Sequence, residues 1–476
     1  MQVESNGINV IPEDERHGTP RSLFWPWAAS SISLGNISIA ALLSAFGMSF
    51  IPTAVACVLG IVVSFFVVGL VSLAGTRASA PTMVISRTAF GVRGNAVPTF
   101  VSYLVCVGWE IAIVVTTVLA ANTVFARLGW PSGGAVEVVV FVVAVGVVMV
   151  AGVFGFRLVT RFQSVVTVVS IAMIIAFIAL TIGNVNWTSL GRIDRVSVAG
   201  CIGAGVIAAA AFGLSWTNSG ADYSRYLPRG SSGRGIVGWT TFAGSLMPSV
   251  LVIYGLMLVT SDPSLAGQLD LNPIGALVSL LPTSALILLL FLLALSLAAT
   301  VAGAMDLYSS GLTLLTLGLK VPRAVAAGLD GLLMTLGSLY LVWFAGSFFG
   351  PFEGFLIFLG VPLAAWAGAF IADATCRRQD YSSVDIFDAR GRYGSVGWPA
   401  LGSMIAGTFV GFGLVTSSTR FTILAWQGYI FDLLGVAQAS SWRESDLGVI
   451  AALTIGFAGT LVLGRARVRR QETEGR

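Results

Sequence analysis

Two carboxylates stand inside long apolar runs of this chain, Glu110 within 97–125 and Asp306 within 284–308. A charge at membrane depth is costly unless it is neutralised, paired or hydrated, and water-poor surroundings favour the neutral acid. Each could bind a coupling proton or hydrogen-bond a ring N–H, and a structural hydrogen bond between helices would use the same atoms. Trp109, beside Glu110, and Trp216 could offer flat faces to a planar heterocycle; packing or an interface belt is the competing use of such residues. Polar and helix-weakening residues collect at two places, Ser31, Ser33, Gly35 and Asn36 in one and Phe212, Gly213, Trp216 and Asn218 in the other. Lipid cannot satisfy a free backbone group, so an interruption of this kind belongs at a cavity or at water. Ser31 and Ser33 suit pocket lining or close helix packing, and Asn218 suits substrate contact or a cap. Asp222 with Arg225, and Asp373 with Arg377 and Arg378, read as structural pairs near helix ends.

Other chemistry is excluded by what is missing. The one histidine, His17, lies in a polar N-terminal tail, and Cys57, Cys106, Cys201 and Cys376 have no paired spacing. No metal site, disulfide framework or membrane-embedded enzyme is therefore expected, and no cofactor beyond a coupling cation. Hydrophobic residues make up 56% of the 476 positions and charged residues only 10%, against about 25% in soluble domains. That composition, with 56 glycines, marks a polytopic α-helical membrane protein whose principal partner is the lipid bilayer. The net charge of +4 comes mainly from arginines spread over loops, so nucleic acid is not an expected partner. No apolar stretch precedes Leu23, which argues against a cleaved signal peptide.

The elements that must position these residues are spans of about 20 apolar residues. Twelve are expected, near 24–50, 53–75, 97–125, 134–153, 159–182, 198–220, 237–260, 284–308, 323–346, 351–373, 398–416 and 447–464. Thr422–Leu434 reads as an interfacial helix, with a thirteenth span as the less favoured alternative. With both termini cytoplasmic, this arrangement puts 21 of the 26 basic residues inside, Arg157, Arg161 and Arg476 among them, and 5 outside, Arg420 among them. The positive-inside rule predicts such a split, and a plasma-membrane, multi-pass protein is expected. The first and sixth spans are the interrupted ones, and they lie five spans apart. Matching breaks of this kind are typical of inverted-repeat transporters with a site at the bilayer midplane. The expected domains are a tail at 1–22, a five-helix repeat at 23–182, a second, inverted repeat at 198–375, two further helices at 398–464 and a basic tail at 465–476.

The stretch from Trp216 to Pro228 resembles the sixth-helix signature of purine/cytosine permeases in the nucleobase:cation symporter family. Ala80 to Gly91, followed by Gly94 and Asn95, resembles that family's loop between helices two and three. Gly108-Trp109-Glu110 is similar to its third-helix motif, and Asp306 to Leu312 to its eighth. The resemblance implies the inverted-repeat fold of the leucine transporter, with substrate stacked between aromatic side chains of helices three and six. Relatives carry an amide residue shortly after the third-helix Trp, where this chain has Ile111, Ala112 and Ile113. Before the eighth-helix motif they carry an Asn, where this chain has Ala302-Gly303-Ala304-Met305. Sodium-coupled members begin that segment with hydroxyl residues; Val301 and Ala302 stand here, with Thr300 alone nearby.

The expected function is secondary active uptake of a nucleobase or similar planar heterocycle by alternating access, with a proton as the preferred coupling ion over sodium. Trp109, Phe212, Gly213, Trp216, Asn218, Asp306, Ser31 and Ser33 are the expected substrate residues, and Glu110 and Asp306 the coupling residues. A same-fold carrier of an amino acid or other solute, sodium-coupled uptake of a hydantoin- or vitamin-like ring, and a passive channel remain open alternatives.

Overall fold

A computed structural model describes residues 6–154, 156–344, 349–416 and 424–473. Among them all regular structure is helical. In chain order the helices are α1 (Phe24–Ser30), α2 (Ile39–Ser44), α3 (Phe50–Ala78), α4 (Thr82–Phe90), α5 (Ala96–Arg127), α6 (Gly134–Phe154), α7 (Phe156–Thr181), α8 (Trp187–Leu190) and α9 (Val198–Ala211). There follow α10 (Gly233–Ser261), α11 (Ser264–Leu271), α12 (Pro273–Ser279), α13 (Ala285–Leu317), α14 (Arg323–Trp343), α15 (Phe349–Cys376), α16 (Trp398–Gly413), α17 (Tyr429–Leu433) and α18 (Leu447–Thr473).

Nine of the described helical segments are long and apolar enough to cross a membrane, and the bent pair Pro20–Ser30 and Leu34–Ser44 makes a tenth. The other two expected spans are occupied by shorter helices. The apolar part of α6 is Gly134–Val150, and α16 stops after 16 residues at Gly413. The sequence-based number of twelve therefore exceeds the crossings that length alone supports. The expected interfacial helix is reduced to α17; residues 417–423, with Arg420, lie outside the described residues, as does Arg476.

Both expected interruptions are present. The first span bends by 63° between its halves, and the freed backbone finds local partners: Asn36 Nδ2 donates to the Ser31 carbonyl at 2.7 Å, and Ser33 Oγ accepts from the Gly35 N–H at 3.2 Å. Without such bonds an exposed carbonyl in apolar surroundings would be strongly unfavourable. In the sixth span α9 stops at Ala211, Phe212 takes non-helical dihedrals, and a 3-10 run covers Leu214–Ser219. Gly213 explains the position of this break. A Cβ there would lie 2.5 Å from the Phe65 backbone nitrogen, so only glycine lets the chain pass this close to α3.

One end of the bundle is tied together by arginines. Arg377 forms a two-pronged ion pair with Asp373, at 2.6 and 2.9 Å, and also donates to the Thr88 carbonyl and Gln471. Arg225 Nη1 donates to the Gly7 carbonyl at 2.7 Å, which holds the N-terminal tail against this end. Asp222 accepts from the Thr82 N–H at 2.8 Å and its hydroxyl at 2.9 Å, so it caps the first turn of α4, where a negative charge is favoured.

Candidate functional site

The two interruptions meet α5, α12 and α13 around an internal cavity of about 160 Å³. The first break contributes Ser31, Ser33 and Asn36, and the second contributes Phe212, Ser215 and Trp216. Trp109, Thr116 and Thr117 come from α5, and Asp306 from α13. On α13 the lining residues Leu295, Ala298, Ala299, Ala302 and Asp306 recur at helical spacing, so one face of that helix forms a wall. The cavity is thus mainly apolar, with a few polar groups converging on it, the usual composition of a small-molecule site. Asp306 is the only charged side chain among the described lining residues.

Of the nine residues expected to bind substrate or couple transport, six line this cavity: Ser31, Ser33, Trp109, Phe212, Trp216 and Asp306. Three do not. Gly213 packs on α3 as described. Asn218 turns away, and its amide donates to Ser102 Oγ at 2.9 Å and the Ser102 carbonyl at 3.2 Å, so it fastens the second break to α5. Glu110 points behind the cavity wall, where it is fully buried among α5, α13 and α14. Consecutive helical residues diverge by about 100°, so Trp109 and Glu110 cannot face the same space.

The hydroxyl of Thr300 donates to the Ser296 carbonyl at 2.8 Å. Thr300 lines a second groove, bounded by Val139 and Val143 on α6, which shares Thr117 and Ala299 with the cavity. The part of α13 that faces the break carries Ala298, Ala299 and Ala302.

Sequence reasoning missed several contributors, among them the lining residues Thr116, Thr117 and Ser215. Pro273 and Ile274 of α12 close one side of the cavity. They sit in a pair of helices too short to read as spans, and the Asn272-Pro273 start signal was the available clue. Trp27 is fully buried and meets Trp216 and Tyr223 edge to face, at 6.2 and 5.6 Å between ring centroids. Asp330, a lone acid in the apolar helix α14, is buried beside Ser310 and Glu110.

Residues 10–433 match the family described as permeases for cytosine/purines, uracil, thiamine and allantoin. YxlA of Bacillus subtilis (strain 168), provisionally named a purine-cytosine permease, is 26% identical over 406 residues, 84% of this chain and 85% of that protein. The purine-cytosine permease FCY2 of Saccharomyces cerevisiae is 23% identical over 482 residues, 96% of this chain and 87% of that protein. The fold matches that of Mhp1, a nucleobase-cation-symport-1 family transporter, in a closed conformation with bromovinylhydantoin bound. The TM-score is 0.70 at 18% identity, over 99% of both chains. With motifs, fold and family in agreement, this chain is a membrane transporter, not an enzyme, and it belongs to the family of permeases for cytosine/purines, uracil, thiamine and allantoin.

Proposed function

We propose that the chain imports a nucleobase or similarly small planar heterocycle with a proton, by alternating access across the plasma membrane, with both termini cytoplasmic. One observation carries the reading: the cavity between the two broken spans holds Trp109 and Trp216 together with a single carboxyl, Asp306. In this reading the ring stacks between Trp109 and the Phe212–Trp216 segment. Its edge groups bond to Asp306, to Ser31 and Ser33, and to backbone exposed by the breaks. Stacking offsets the loss of water from both ring faces, and the edge contacts select the base. The chemistry of α13 favours a proton over sodium, because alanines face the break where an ion would need oxygen ligands.

The same cavity disfavours an amino-acid substrate. Such a substrate brings a carboxylate as well as an ammonium, and no basic side chain is among the described lining residues. A binding screen on the purified protein tests the proposal. Thermal shift is measured with cytosine, adenine, hypoxanthine, uracil, allantoin, a hydantoin and a set of amino acids, with and without sodium at two pH values. Stabilisation by a nucleobase that depends on pH and ignores sodium is the expected result. Stabilisation by amino acids alone, or only when sodium is present, would overturn it.

A further inference from the structure

Glu110 is fully buried, its nearest polar side chains are Ser310 and Asp330, and neither carboxyl oxygen has a well-aligned donor among the described groups. Asp330 on α14 faces it within side-chain hydrogen-bonding reach and is equally buried. Ser310 on α13 donates its one hydroxyl hydrogen to Asp330 Oδ2, and the Tyr103 hydroxyl of α5 is a second donor within reach of the same carboxyl. Two ionised carboxylates carry acceptors only, so their contact offers no hydrogen bond and holds like charges together in a water-poor site. One proton added to either acid supplies a donor for the contact between the two carboxyls and removes the repulsion. Such a proton belongs to the pair and to neither residue alone.

Among the described side chains, the surrounding charges do not provide another solution. On the helices packed around Glu110 the further described charged residues are Asp306 on α13, Arg323 on α14 and Arg127 at the far end of α5. Glu137 of α6 and Asp373 of α15 are also present, and the side chain of Glu353 on α15 lies outside the described residues. Arg323 lies over the Tyr308 ring, 5.2 Å from its centroid, and donates to the Gly152 carbonyl. Arg127 donates to the Leu281 carbonyl, Glu137 accepts from Asn122, and Asp373 is paired with Arg377.

We propose that Glu110 and Asp330 form one proton-binding site behind the substrate cavity, where a single proton bridges the two carboxyls. The assignment rests on the proton-coupled reading above and says where its proton resides. Two helices join this site to the cavity. On α5, Glu110 follows Trp109, and on α13, Ser310 lies one turn beyond Asp306. A shift of either helix that opens the cavity therefore also alters the contact between the acids. The proton arrives from water, protonates one carboxyl and takes the pair from two negative charges to one. It leaves to water when the contact opens on the other side, and no electrons or heavy-atom bonds are exchanged.

Infrared difference spectroscopy of the purified protein between acidic and alkaline buffer tests this directly. The wild type is expected to show one buried carboxyl C=O band, equivalent to about one proton per chain. Glu110→Gln and Asp330→Asn should each abolish it. Ser310→Ala keeps both acids and should shift the band, which provides a readout if either acid variant fails to fold. A band that survives E110Q and D330N, or one unmoved in folded S310A, would overturn the proposal. Uptake of cytosine under a pH gradient by the wild type is measured in parallel. If that fails while the band behaves as described, the transport reading falls and the proton site stands.

Discussion

Trp27 of the first span and Trp216 of the sixth meet edge to face with ring centroids 6.2 Å apart, so the two interrupted spans touch through their aromatic residues. Trp27 is fully buried, whereas Trp216 also lines the cavity. A movement at one break is therefore felt at the other through a packed ring pair, a geometry that is favourable in its own right. Tyr223 extends the contact from Trp27 toward Tyr308, whose hydroxyl accepts from Arg225 at 2.6 Å. The cavity is thereby linked to the end of the bundle where the N-terminal tail is held.

Replacing Trp109 or Trp216 by Ala should weaken binding of the preferred base by roughly 1–3 kcal/mol, the usual worth of a base stacked on an aromatic ring. That is about 5- to 150-fold in Kd. Phe at either position should recover most of the loss. Competition binding with radiolabelled base measures it, and equal affinity in wild type and both Ala variants would remove stacking from the account.

Glu110→Gln and Asp306→Asn should each abolish concentrative uptake driven by a pH gradient while the protein stays monodisperse and folded. Their substrate affinities should separate the two. Asp306 lines the cavity and Glu110 does not, so D306N weakens binding and E110Q alters chiefly its pH dependence. Unchanged pH-dependent uptake in both variants would exclude these acids from coupling.

Gly213→Ala should lower stability by about 1–3 kcal/mol, the usual cost of overpacking, because a Cβ there runs into the Phe65 backbone. Thermal unfolding in detergent measures it. An unchanged midpoint would mean that α3 can move aside.

Asn218→Ala should reduce stability by about 1 kcal/mol through loss of its amide bonds to Ser102. Base affinity should change far less than in W216A. A large loss of affinity with unchanged stability would instead assign Asn218 to substrate contact.

Much of this organisation is readable in the chain. The break after Ser30 and the one at Phe212–Gly213 are both marked by small and polar residues that lipid would not tolerate. Aromatic and acidic residues at odds with an apolar run identified Trp109, Trp216 and Asp306 as cavity neighbours. What sequence periodicity does not reveal is direction around a helix inside an all-apolar bundle. Trp109 and Glu110 are adjacent in sequence but open on different spaces, and Asn218 turns from the break toward Ser102. Asp330 escaped because one acid barely disturbs the hydropathy of a 21-residue helix. The pair α11 and α12 escaped because segments of 8 and 7 residues carry no span signal.

The central claim, proton-driven uptake of a planar base, is tested most directly in proteoliposomes without sodium, with the outside made acidic relative to the lumen. Radiolabelled cytosine or adenine should accumulate above its external concentration, and a protonophore should collapse that accumulation. Accumulation that ignores the pH gradient and appears only with an inward sodium gradient would contradict the account.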